Sequence, residues 1–275
     1  MNLRFVVRGA VFALALLALA LIVVSLLPSP LAVPLRALWS APPPDPTPQP
    51  PVICAALGGL PAGTVGLQEW VQYRGESFDL IGSGFLLRLA EGSTVGVVTA
   101  HSLLIGDPLR PLERVAFAAS GQTGFVAEFD TLRGPPGQPR TGADMTVDYV
   151  LLQATGPVRD ELALAPDPRG APQPGERVAL FSGPGDGAGG RRRVLEGTVQ
   201  SVEPTAVWAM MDEYFDPSRM SGSPLLSRHT GQVVGMAIAA SPHGDRLMIG
   251  FHPIGSLVRL AHDATEPLLL VEYQR

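Results

Sequence analysis

A hydroxyl, an imidazole and a carboxylate can together break an acyl bond without a cofactor, and three segments of this chain offer one each. His101 ends the apolar, β-branched run Val97-Val98-Thr99-Ala100, a rigid place for a base. Asp148 opens the apolar run Tyr149-Val150-Leu151-Leu152, where an acid is expected to be partly buried and to need a partner. Ser221 begins Ser221-Gly222-Ser223-Pro224-Leu225-Leu226, whose small residues allow a tight turn that exposes one hydroxyl. Serine is a poor nucleophile near neutral pH. It needs the imidazole to take its proton and the carboxylate to hold that imidazole in one tautomer. Taken singly, each segment has a plainer reading: a strand-end turn for His101, a turn cap for Asp148 with Asp144 as a rival acid, and an ordinary loop for Ser221.

Strands are the elements that would position these groups. From Val52 onward, short apolar stretches alternate with Gly, Pro and Asp turns, and helical periodicity is scarce. Expected strands are Thr64–Val71, Leu80–Leu89, Thr94–Ala100, Glu113–Ala119, Gly124–Asp130 and Tyr149–Ala154. A second set is Glu176–Ser182, Arg193–Val202, Ala206–Met211, Val233–Ala240 and Arg246–Phe251. The Pro-rich stretch Gly156–Gly175 separates the sets, so an all-β protein of two subdomains, each a sandwich or barrel, is expected. Pro253–Ala264, with Ile254, Leu257, Val258 and Leu260 on one face, reads as a closing helix.

The rest of the composition removes other classes. The chain has 275 residues and a formal net charge of −5 with no basic stripe, which argues against nucleic-acid binding. A single cysteine, Cys54, excludes an internal disulfide and CxxC metal sites. No histidine pair has the spacing of a zinc helix; His229 and His243 fall in turns and His262 near the end of the last helix. Gly183–Gly190 lacks the Gly-Lys-Ser/Thr ending of a phosphate loop and reads as a hairpin loop, with Arg191-Arg192-Arg193 as a solvated strand start. No metal or cofactor is therefore expected. The uncharged run Gly9–Leu27 would span about 28 Å as a helix, close to a bilayer's hydrocarbon thickness. Arg4 and Arg8 precede it, so residues 1–8 are read as a cytoplasmic tail and 9–27 as a membrane anchor, with the remainder outside the cytoplasm. A cleaved signal, giving a secreted protein, is the alternative. Residues 28–51, ending in APPPDPTPQPP, read as an extended linker to a folded domain over 52–275.

Together the three segments resemble the trypsin/chymotrypsin-like serine protease family, and most closely its bacterial HtrA/Deg branch. VVTAHSLL stands where the family has Thr-Ala-x-His, Asp148-Tyr149-Val150-Leu151-Leu152 is similar to D-x-A-L-L, and SGSPLL is similar to S-G-G-P-L. The likeness continues through Gly175–Gly185, Gly197-Thr198-Val199, Gly250-Phe251-His252-Pro253-Ile254 and Leu257-Val258-Arg259, covering about 63 to 262. It implies two six-stranded antiparallel barrels, over about 60–155 and 172–252, with a helix over about 253–264. No PDZ module is expected after that helix. The implied activity is hydrolysis of a protein or peptide substrate, with Ser221 as nucleophile, His101 as proton shuttle and Asp148 as its orienter. The backbone amides of Arg219 and Ser221 would form the oxyanion hole. Arg219 departs from the family's glycine there, which predicts a strained hole and slow or gated activity. It also keeps open a second reading, a catalytically impaired domain that binds a protein or peptide partner. By the same resemblance, Phe215 lies toward the base of the substrate pocket, with Ile238, Ala239, Ala240 and His252 near its walls. No acid falls at the base, so a small or apolar residue before the scissile bond is expected; the alternative is an acidic residue accepted by protonated His252.

Overall fold

The computed structural model describes residues 59–62, 65–184, 194–264 and 266–273. The run 9–27, the linker 28–51, Cys54 and the Gly- and Arg-rich residues 185–193 lie outside the described residues. Among the described residues no helix is long and apolar enough to cross a membrane.

Alternation of side chains builds the first barrel. In β1 (Leu67–Tyr73) Leu67, Glu69, Val71 and Tyr73 are buried while the residues between them are half-exposed. It is followed by β2 (Asp79–Arg88), β3 (Thr94–Val98), β4 (Leu112–Ala118), β5 (Ala127–Arg133) and β6 (Val150–Ala154). These six pair antiparallel in the order β1-β4-β5-β6-β3-β2, and β1 pairs β2 to close the ring. Its interior is filled by Phe117 and Phe129, edge to face at 4.9 Å, among Leu67, Leu86, Val98 and Leu152. Gly84 in β2 makes room for them: a Cβ there would come within 2.6 Å of the Phe117 ring.

A two-residue strand, β7 (Ala163–Leu164), then lies parallel to β2. The second barrel is β8 (Arg177–Phe181), β9 (Val194–Glu203), β10 (Ala206–Met211), β11 (Pro224–Ser227), β12 (Val233–His243) and β13 (Arg246–Pro253), closed in the order β10-β13-β12-β11-β8-β9. Helix α1 (Ile254–Asp263) follows, and β14 (Pro267–Leu269) returns to pair with β5. The helix buries Ile254, Leu257 and Ala261. They join an apolar cluster with Phe85, Val97 and Leu151 of the first barrel and Phe181, Leu226 and Met236 of the second, so the two barrels share a packed seam.

The connection between barrels is held by charge. Arg169 donates to Asp167 (2.6 Å) and Glu176 (2.9 Å), both side chains fully buried, and Ser227 and Thr230 complete the network. Burial alone would raise both acids, but hydrogen bonds led by those from Arg169 bring them below the ordinary carboxylate range. A paired, fully hydrogen-bonded ion cluster is the form in which buried charge is tolerated.

The expected strands are present in order, with ends shifted by a few residues. The largest displacement is β5, expected from Gly124. That glycine has φ +85° and turns the chain before the strand begins at Ala127. Three short strands were not expected. All four residues of β11 are buried, so no alternation marks it, and β7 and β14 are two and three residues long.

Candidate active site

Strand pairing brings the imidazole and the acid together. Val98 of β3 pairs with Val150 of β6, so the chain running on to His101 and the chain arriving from Asp148 leave the barrel at the same end. There the Asp148 side chain is fully buried and accepts four hydrogen bonds. Oδ1 takes the amides of Ala100 (2.7 Å) and His101 (3.0 Å); Oδ2 takes His101 Nδ1 (2.8 Å) and the amide of Arg140 (3.0 Å). Burial would raise its pKa, but the hydrogen bond and charge of His101, with these amides, hold it below the ordinary aspartate value. The other ring nitrogen, Nε2, lies 2.9 Å from Ser221 Oγ. With Nδ1 donating to Asp148, Nε2 is the acceptor for the serine proton. The rival Asp144 instead caps its own turn, accepting from the amide (2.8 Å) and hydroxyl (2.6 Å) of Thr146.

The second barrel supplies the serine, on the loop between β10 and β11. The amide of Ser83, in β2, donates to the Ser221 carbonyl (3.0 Å), and Gly222 donates to the Ala237 carbonyl (2.8 Å). Gly222 has φ +88°, and a Cβ on it would sit 1.9 Å from the Ser83 carbonyl, so only glycine fits beside the nucleophile. Two residues upstream, Arg219 has φ +63°, the sole positive φ at a non-glycine residue among those described. Its side chain is exposed and its carbonyl accepts from Ser83 Oγ at 2.8 Å. Neither the Arg219 nor the Ser221 amide has an acceptor among the described residues, which leaves both available to an oxyanion. The left-handed conformation costs an L residue about 1–2 kcal/mol.

A cleft of about 190 Å³ adjoins Ser221, lined in part by Met220, Ile238, Ala239, Ala240 and Ile249, with no acid in its lining. Phe215 is buried in the apolar cluster that contains Met220 and Ile249, and does not line the cleft. His252 does not line it either. In β13, Leu247, Ile249 and Phe251 fill the second barrel. His252, on the opposite face by the period of two, is buried edge-on to the Tyr149 ring at 5.9 Å. Burial pushes its pKa down to about 4, more than the nearby Asp148 backbone and carboxylate raise it, and neither ring nitrogen makes a well-formed hydrogen bond among the described residues. It is therefore a neutral interior group and not a substrate-facing cation. The remaining histidines are peripheral. His229 lies in the turn between β11 and β12, His243 ends β12 opposite Arg246 and not in the expected turn, and His262 is exposed beside Asp263. Among the described residues no cluster of His, Cys, Asp and Glu could hold a metal ion.

Two further residues bear on the site. Ser83 is the inter-barrel contact just described. Glu69 is fully buried behind the histidine loop: its Oε1 lies 3.2 Å from the hydroxyl of Ser102, which follows His101, while Oε2 has no partner. Burial pushes the Glu69 pKa well above the ordinary glutamate value, more than Ser102 lowers it. The signal was in the pattern, because Glu69 falls on the inward-facing positions of β1.

Two closed antiparallel six-stranded barrels with a C-terminal helix, and Ser221, His101 and Asp148 gathered at their junction, define a chymotrypsin-like hydrolase scaffold. A family profile described as trypsin-like peptidase domain matches residues 82–236, more than half of the chain, and the protein belongs to that family. Among solved structures it is similar to a thermostable serine protease from an extremophilic microorganism, at 12% identity and a TM-score of 0.52, covering 74% of this chain and 97% of that one. It is also similar to kallikrein-related peptidase 10, at 17% identity and a TM-score of 0.50, covering 76% and 98%. At these identities the likeness is one of fold. No curated protein sequence matches the chain.

Two outcomes follow from this geometry. The folded protein keeps a proton on Glu69 that the unfolded chain releases above about pH 4.5. Stability is therefore lost as pH rises from that point toward the raised folded pKa. Glu69→Gln, which stays neutral, should unfold at a higher temperature than the parent at pH 8 and show a smaller advantage at pH 5; parallel pH dependences would contradict a buried neutral carboxyl. Arg219→Gly relieves the left-handed strain but adds freedom to the unfolded chain. A net gain of up to about 1 kcal/mol in urea unfolding is expected, with faster hydrolysis if the strain limits the hole.

Proposed function

We propose that this protein is a serine endopeptidase that cleaves peptide bonds through an acyl-enzyme. The observation that carries the reading is the continuous contact from the buried Asp148 carboxylate through His101 to Ser221 Oγ, at 2.8 and 2.9 Å. Ser221 Oγ attacks the substrate carbonyl as His101 Nε2 takes its proton. Asp148, ionised because its donors outweigh its burial, stabilises the imidazolium. The Arg219 and Ser221 amides bind the oxyanion, His101 returns the proton to the leaving amine, and water releases the acyl group by the same relay. The small apolar cleft favours a small aliphatic residue before the scissile bond. The motif set supports a likeness to the HtrA/Deg branch. The uncharged run Gly9–Leu27 behind Arg4 and Arg8 supports a membrane-anchored enzyme whose peptidase domain works outside the cytoplasm.

A fluorophosphonate probe tests the chemistry. The parent should be labelled, Ser221→Ala and His101→Ala should not, and Asp148→Asn should be slowed by roughly 10³–10⁴-fold. A folded parent that resists the probe would instead favour a peptidase-like domain that binds a protein or peptide partner. The mass of the protein recovered from membranes tests the anchor: the full-length chain is expected, and a product lacking residues 1–27 would mean a cleaved signal.

A further inference from the structure

We infer that Ser83, a residue of the first barrel, is the positioning residue that holds the oxyanion hole open against the strain at Arg219; this rests on the serine peptidase reading of the site. Ser83 is fully buried and touches the nucleophile loop at three points. Its amide donates to the Ser221 carbonyl at 3.0 Å, its hydroxyl donates to the Arg219 carbonyl at 2.8 Å, and its carbonyl fills the space over Gly222. Arg219 is held at φ +63°, where its amide has no acceptor among the described residues and is left for the oxyanion.

An L residue leaves the left-handed region when the peptide on its N-terminal side rotates relative to the one on its C-terminal side. At Arg219 the C-terminal peptide is fixed, because its carbonyl accepts from Ser83 and the Met220 amide donates to the Pro217 carbonyl (3.1 Å), so relief cannot be shared between the two peptides and falls on the Ser218–Arg219 peptide alone. The Ser83 amide pins Ser221, so the loop cannot shift as a body to follow. Where glycine is present the left-handed conformation is freely accessible, and such a tether is not needed. The hydroxyl of Ser83 and the side chain at 219 are therefore energetically coupled, although the two residues lie 136 positions apart and in different barrels. Ser83 does not touch the substrate; it acts through the direction of the Arg219 amide.

A double-mutant cycle tests this with Ser83→Ala, Arg219→Gly and the combined variant, reading the single-turnover acylation rate and KM for a peptide ester beside the unfolding midpoint. Ser83→Ala alone should slow acylation roughly tenfold with KM little changed, as expected for an interaction felt in the transition state. In the Arg219→Gly background the same substitution should cost less than about twofold. An equal loss in both backgrounds, or no loss in either, overturns the inference and leaves Ser83 a structural contact. A parent that neither acylates nor reacts with fluorophosphonate would defeat the peptidase reading instead. In that case the crystal structure of Ser83→Ala decides the backbone claim: Arg219 should leave positive φ, and retention of the present angle would overturn it.

Discussion

A carboxylate removed from water must be met by hydrogen-bond donors or it will not stay charged, and Asp148 meets that demand with four. Three of the donors are main-chain amides, from Ala100, His101 and Arg140. The acid therefore shapes the chain leaving β3 and the loop before β6 as well as orienting a ring. Only one arrangement of those segments aims the amides of 100 and 101 at one oxygen and the amide of 140 at the other. The fourth donor is the imidazole itself, whose tautomer is thereby set with Nε2 facing Ser221. Structural and chemical duties fall on the same atoms, so a change at Asp148 would disturb the loops and the proton path together.

The second barrel contributes Ser221 and the free amides of 219 and 221, and it does so with Arg219 under strain. Local sequence gives no reason for Arg219 to occupy the left-handed region; its surroundings impose the angle. Those surroundings include the first barrel, through Ser83, and the apolar seam that fixes one barrel against the other. Competence of the site thus depends on the register between two closed units, each of which could in principle pack well in a slightly different relation. Phe85, Leu151, Phe181 and Leu226 in the seam, with Ile254 and Leu257 from the helix that covers it, make that relation a matter of close packing, which yields in steps and not smoothly.

How much of this could be read in the sequence follows from how local each signal is. His101 and Asp148 were visible because they cap apolar strands that pair with each other, and Ser221 because its small neighbours form an unusual turn. The choice of Asp148 over Asp144 was not local: both acids lie shortly before β6, and only the folded chain brings the amides of 100, 101 and 140 to one of them. Strand β11 escaped because burial on every side erases the alternation that marks a half-exposed strand. The same loss of alternation hid the orientation of His252. Most of β13 is buried, one face toward the barrel interior and the other toward the first barrel, so motif spacing could not say which face the histidine takes. Ser83 sits between Gly82 and Gly84 in β2, and nothing local to it points to its partner 136 residues away.

Three buried titratable groups surround the imidazole loop, and they are not in the same charge state. Asp148 is held below the ordinary carboxylate range, Glu69 is pushed well above it by burial, and His252 is pushed down to about 4. All three side chains are closed to solvent, but Asp148 is the least deeply buried and the best supplied with donors: four hydrogen bonds reach it, one hydroxyl reaches Glu69, and only the Asp148 backbone lies near the His252 ring. The result is a single negative charge set against His101. The ample donors at Asp148 and their scarcity at Glu69 thus act together to set the charge that faces His101.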